Sequence, residues 1–194
     1  MLTAEPLTAA TLPSLLALFD AAGSACFCRY QHFGGDKNEW LARLAFSPEE
    51  NARELSARVA SGDDEAGGIV ALASGVVVGW SKLTRADTVK KIYEQRYYRG
   101  LPVLRRDPSG VLTLGCFLVH PAHRRQGITA ALVQAAIGHA RARGARAIEC
   151  FPRVSSEPLQ DEELWTGPAS TLARAGFAAV MSDPPYPVYR LELE

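Results

Sequence analysis

The chain has 194 residues, of which 47% are hydrophobic and 22% charged, enough apolar material for one packed domain and too much for a disordered chain. Its 21 Lys+Arg balance 21 Asp+Glu, and a formal net charge of zero argues against a dedicated nucleic-acid binder. With no leader and no long apolar run, no membrane association is expected and a cytoplasmic location is.

Residues 1–6 read as a first strand. A helix follows, with Thr8 or Thr11 as cap, Leu12, Leu15, Leu16, Leu18 and Phe19 on its apolar face, and Gly23 at its end. Ala25 to Phe33 fits neither regular element; Gly34-Gly35-Asp36 is a turn, and Asn38 to Leu44 a short helix holding Trp40. Ser47-Pro48-Glu49-Glu50 predicts a helix start, with Ser47 capping, Pro48 in first position and Glu50 completing a capping box. Leu55 and Val59 face inward on this helix, and Gly62 ends it. Asp63, Asp64 and Glu65 are expected to form a solvated acidic loop, since no metal-ligand spacing follows. Residues 68–73 and 76–83 form a hairpin turning at Ser74-Gly75. Ala86 to Arg99 reads as one helix with a charged outer face and Ile92 and Tyr93 inward; its length as a connector leaves a lid as the alternative.

The stretch 111–144 organises the chain. Val111, Leu112, Leu114, Cys116, Phe117, Leu118 and Val119 form a nearly continuous apolar run, the pattern of a strand covered on both faces. Pro121 stops it. A basic loop, His123-Arg124-Arg125-Gln126-Gly127, leads into a helix whose stripe is Ile128, Leu132, Val133, Ala136, Ile137 and Ala140, ended by Gly144. A helix N-terminus presents unpaired N–H groups and a positive dipole end, Gly127 allows close backbone approach, and two arginines add charge, so this loop is expected to bind an anion of the phosphate-ester type. Neither a Walker loop nor a dinucleotide GxGxxG is present.

Residues 146–151 make a strand ending at Pro152, and a strand–helix–strand unit of this kind takes a right-handed crossover. A polar loop runs from Arg153 to Glu163; Trp165 to Phe177 reads as a helix closed by Gly176, and residues 178–181 and 188–193 as a final hairpin. The four cysteines, Cys26, Cys28, Cys116 and Cys150, complete no zinc pattern and read as half-buried thiols, with Cys116 or Cys150 lining a ligand cleft as the alternative.

Arg124-x-x-Gly127-x-Thr129, behind the strand end Leu118-Val119-His120-Pro121, resembles motif A of the GNAT superfamily of N-acetyltransferases, with Thr129 where that family usually has glycine or alanine. The Ala175-Gly176-Phe177 ending resembles its motif B helix. The Cys26-x-Cys28-x-Tyr30-Gln31 phrase and the Glu149-Cys150-Phe151-Pro152 strand also look like a bacterial subgroup of unassigned substrate.

The resemblance implies an α/β (α+β) GNAT fold spanning residues 1–194 as a single domain. Its mixed central sheet would have about six or seven strands and helices on both faces, with a parallel pair splayed at the acetyl-CoA site. It implies an acetyl-CoA-dependent acyltransferase acting by direct transfer on a small amine, with no metal and with room for a homodimer. Phe117, Leu118, Val119, Arg124, Arg125, Gln126, Gly127, Ile128, Thr129 and Ala130 would hold acetyl-CoA. Tyr30, Gln31 and Trp40 would line the acceptor site.

Glu149 is the first choice for the base that deprotonates the amine, with Glu94 and His120 as alternatives. Many family members carry a tyrosine, as acid for the leaving thiolate, where this chain has Leu172; Ser170 or water would take that role. A non-catalytic acyl-CoA binding or sensing module is the alternative from another class, and a nucleotide-phosphate binder a third.

Overall fold

The structure, a computed structural model, describes residues 1–193. Seven strands, β1 (Leu2–Pro6), β2 (Gly68–Ala73), β3 (Val76–Arg85), β4 (Val111–Val119), β5 (Ala147–Cys150), β6 (Ala178–Met181) and β7 (Val188–Glu192), form one sheet in the order β1-β2-β3-β4-β5-β7-β6. Every neighbouring pair is antiparallel except β4 and β5, which run parallel. The helices are α1 (Leu12–Ala21), α2 (Lys37–Phe46), α3 (Glu49–Ala60), α4 (Lys90–Tyr93), α5 (Ile128–Ala142) and α6 (Ala169–Arg174).

The sheet is covered on both faces, and the alternation along β2 shows how. Ile69 and Ala71 join Leu132, Val133, Ala136, Ile137 and Ala140 of α5 in one core. Val70, between them, points the other way, toward Leu15, Leu18 and Phe19 of α1, Leu55 of α3 and Trp80. Gly79 on β3 sets how closely α5 can approach: a Cβ there would stand 2.4 Å from Ile128 Cγ2.

Several local expectations need correction. The capping box lies at Asp36, whose side chain accepts from the Asn38 and Glu39 amides while Glu39 reaches back to the Asp36 amide. Ser47 caps nothing: it closes α2, so its backbone is committed to that helix, and α3 starts after Pro48 without a side-chain cap. Residues 86–99 are not one helix but a 3-10 turn (Ala86–Thr88), the four-residue α4, and turns. Aromatic burial wins over helix periodicity there, because Ile92, Tyr93 and Tyr98 all turn into a third apolar cluster around Phe151 and Val188. The helix expected over 165–177 is likewise broken. A 3-10 segment (Asp161–Thr166) comes first; Gly167 at φ +100° and Pro168 separate it from α6. The acidic loop is not merely solvated either: Glu65 pairs with the fully buried Arg29 at 3.0 Å.

Candidate active site

Two irregularities of the sheet create the site. The β4–β5 pairing runs only from Val111↔Ala147 to Thr113↔Glu149, after which β4 continues to Val119 without a strand on that side. The backbone groups of its second half therefore face a cleft instead of a ladder. On its other side, β4 carries one extra residue against β3: Trp80 faces Leu118, but Lys82 faces Gly115. This is a β-bulge, and Cys116 within it takes φ +48°.

A cleft of about 790 Å³ opens beside this half-strand. Phe117, Leu118 and Val119 form one wall, and Leu164, Trp165, Pro168 and Thr171 stand across from them. Its end is the loop before α5, where Arg124, Arg125, Gly127, Ile128, Thr129 and Ala130 come together. Gly127 caps α5 in the left-handed region (φ +79°), and no acidic residue occupies the first turn of this 15-residue helix. A Cβ at Gly127 would meet nothing within 4 Å, so open space lies against the helix N-terminus. Unpaired amides, a positive dipole end and two arginines around open space suit a pyrophosphate, and an unladdered strand edge suits an amide-bearing arm. Gln126 is the exception in this loop: its side chain turns back to donate to the Ala122 carbonyl at 3.2 Å.

On the far side of the bulge a smaller pocket of about 90 Å³ shares Gln31, Cys116 and Trp165 with the cleft. Lys82, Thr84 and Thr113 reach it from the sheet, and Val89, Ile92, Gln95 and Tyr98 from the 86–99 segment, which thus forms its outer wall. Lys91 ties that segment to the N-terminal part, donating to the Gly35 carbonyl at 3.0 Å and lying 5.0 Å from the Tyr30 ring centroid.

The residues expected at the acceptor end separate. Tyr30 and Gln31 line the cleft. Trp40 does not; it is buried against the rings of Tyr30 and Phe33, each with its centroid 5.3 Å away, so it supports the wall from behind.

Glu149 is also outside the cleft. It is buried, pairs with Arg190 at 2.5 Å, and borders a different cavity of about 270 Å³ together with Glu94. It does reach the small pocket indirectly: Tyr93 Oη donates to Glu149 Oε2 at 2.7 Å and lies 2.9 Å from Thr113 Oγ1, whose residue lines that pocket. Burial, reinforced by the Glu149 charge, pushes the Tyr93 hydroxyl well up, so it stays protonated. His120 serves as a local cap, its Nδ1 accepting from the Ala122 amide.

Ser170 is exposed and does not line the cleft, because Leu172 takes the core face of α6 and Thr171 the cleft face. Leu172 is fully buried in the core shared with α5.

The reading of the cysteines as half-buried thiols, with Cys116 or Cys150 at the cleft as the alternative, resolves unevenly. Cys26, Cys28 and Cys116 all line the cleft, whereas Cys150 is core. Trp80 Nε1 donates to Cys28 Sγ at 3.2 Å, and the neighbouring Cys116, then burial, push the Cys28 thiol well above its usual range. Among the described residues no group of three or more His, Cys, Asp or Glu could hold a metal ion, and no helix is long and apolar enough to cross a membrane. Phe19 of α1, Ala22 and Gly23 just after it, and Arg174 also reach the cleft; only the tertiary packing brings them there.

The sequence profile of the acetyltransferase (GNAT) family matches residues 35–161. No curated protein sequence matches the chain. The fold is similar to that of an N-acetyltransferase from Staphylococcus aureus Mu50, at 14% identity over 100% of this chain and 99% of the other, with a TM-score of 0.56. It is similar to PaiA N-acetyltransferase from Thermoplasma acidophilum in complex with coenzyme A, at 11% identity, 100% and 99% coverage and a TM-score of 0.56. The acetyltransferase YncA from Salmonella typhimurium, with its cofactor acetyl-CoA, follows at 15% identity, 100% and 94% coverage and a TM-score of 0.55.

Proposed function

Because this chain belongs to the acetyltransferase (GNAT) family, we propose that it moves an acetyl group from acetyl-CoA directly to the amine of a small acceptor, with the whole chain acting as one domain. One observation carries the reading. The cleft that ends in the α5 amides runs along the open edge of β4 and meets a second pocket at the Cys116 bulge. Two substrates entering from opposite sides would meet there.

In this reading the amides at 127–130, with Arg124 and Arg125, hold the pyrophosphate, and the edge of β4 at Phe117, Leu118 and Val119 holds the pantetheine arm. Acetyl-CoA, when bound, supplies a reactive thioester. Backbone N–H groups at the bulge polarise its carbonyl, since preorganised donors act strongly where water is excluded. Tyr30 and Gln31 border the acceptor.

The amine must lose a proton, and Thr113 and Tyr93 offer a hydrogen-bonded path to Glu149, which we take as the base acting through them. The departing thiol has an ordinary pKa of about 8.5 and can leave as its anion, so the buried Leu172 in place of a proton donor slows the reaction without preventing it.

The test is calorimetry with acetyl-CoA against ATP, followed by free-thiol release with a panel of small primary amines. Acetyl-CoA binding and thiol release with at least one amine are expected. Preference for ATP refutes the reading, and acetyl-CoA binding without turnover across the panel favours an acyl-CoA sensor.

A further inference from the structure

We propose that the pocket behind the bulge takes an amine that also carries a carboxylate, an amino acid or a close analogue, with Lys82 receiving the carboxylate and Gln31 the amine. The inference rests on the acetyl-transfer reading and names its acceptor class.

Lys82 projects from β3 opposite Gly115 and is only 4% exposed. Its ammonium donates to the Glu65 carbonyl oxygen. No carboxylate oxygen lies within 4.0 Å of it among the described residues. Glu65, an acid close by, has its carboxylate engaged by Arg29 at 3.0 Å and by Arg58 at 3.7 Å. A buried cation without an ion-pair partner is costly. Burial accordingly holds the Lys82 pKa down, and a carboxylate delivered beside it would reverse that.

Gln31 presents the complementary need. It is 6% exposed, and its Oε1 has no hydrogen-bond partner among the described residues. A buried carbonyl oxygen left unpaired is unfavourable, and an amine N–H satisfies it.

The placement of the two groups gives the ligand a direction. Gln31 borders both the cleft and the small pocket, whereas Lys82 borders the small pocket alone. A ligand spanning them points its amine toward the thioester and its carboxylate away from it. Val89, Ile92, Tyr98 and Phe151 supply apolar wall for the carbon skeleton between.

The experiment is calorimetry on protein first saturated with coenzyme A. Matched pairs are titrated: L-phenylalanine against 2-phenylethylamine, L-leucine against isopentylamine, and glycine against methylamine. At least one amino acid should bind about tenfold or more tightly than its decarboxylated partner, the size expected of a charge-assisted contact in a buried site. Lys82→Met should reduce that preference to under about twofold, and Lys82→Arg, which keeps the cation, should retain most of it. Gln31→Leu should weaken the amino acid and the plain amine alike.

The coenzyme A titration reports separately on the acetyl-transfer reading. If coenzyme A does not bind, that reading fails. If it binds and wild type prefers no amino acid over its partner, or the preference survives Lys82→Met, the acceptor class assigned here is wrong.

Discussion

Replacing Gly127 by aspartate separates ligand binding from folding. Gly127 has φ +79°, and a Cβ there meets nothing within 4 Å, so only backbone strain and charge matter. The left-handed conformation costs a non-glycine residue roughly 1–2 kcal/mol, less for aspartate, which visits it more readily. An acidic side chain at the N-terminus of α5 returns roughly 0.3–1 kcal/mol through the helix dipole. Gly127→Asp should therefore fold at nearly wild-type stability. Gly127→Ala, with the strain and no charge, should melt about 2–4 °C lower, from a loss of about 1 kcal/mol.

Acetyl-CoA binding should separate the two variants the other way. Hydrogen bonds to charged groups are worth about 1.5–3 kcal/mol each, and a carboxylate at this position disturbs at least two of the amide contacts. The loss is then about 3 kcal/mol or more, a weakening of about a hundredfold at 1.4 kcal/mol per decade. The alanine variant should lose less than about tenfold. Titration calorimetry beside thermal melts measures both quantities. A folded Gly127→Asp protein that binds acetyl-CoA within threefold of wild type would refute the assignment of this loop.

Three further predictions can be checked. Tyr93→Phe cuts the path from Thr113 to Glu149, so it and Glu149→Gln should each lower kcat by about a hundredfold, within the range of general acid–base catalysis, and together by little more than either alone; a full rate in Tyr93→Phe would disprove the relay. Ser170→Ala should alter turnover by less than about twofold, because the side chain is exposed and off the cleft and water can protonate the thiolate; a thousandfold loss with intact acetyl-CoA affinity would make Ser170 the acid. Burial, with the Lys82 and Arg29 charges, holds His32 down to about 3, against the opposing pull of the Thr88 backbone.

The sign of the His32 effect follows from linkage. Below about pH 6.5 the unfolded chain protonates this histidine while the folded one resists, so its share of stability is complete above pH 6.5 and lost as pH falls toward 3. Calorimetric melts should show roughly 2–3 kcal/mol lost between pH 6.5 and 4.5, and His32→Phe should flatten that slope; an unchanged slope would mean His32 titrates normally.

What the sequence determined by itself is local. The strand, loop and helix over 111–144 are consecutive, so apolar periodicity, Pro121, Gly127 and the arginines all act within one segment. Of the residues in it expected to hold acetyl-CoA, all but Gln126 line one cleft. The β-strands were equally legible, because alternation and turn glycines are read over a few residues.

Tertiary structure decided whatever depends on register and on distant partners. The bulge at Cys116 exists only relative to β3, and it is invisible in either strand alone. Glu149 looked like a free base until Arg190, 41 residues away, was seen beside it. Helical spacing over 86–99 gave way to separate turns that bring Ile92, Tyr93 and Tyr98 together around Phe151, a residue distant in the chain. Nothing in the local sequence singles out Lys82 among the residues of β3. Only the meeting of β3, the bulge and the 30–32 turn buries its charge at a pocket shared with Gln31, whose Oε1 is unpartnered among the described residues, since burial is set by what packs around a residue and not by its neighbours in the chain.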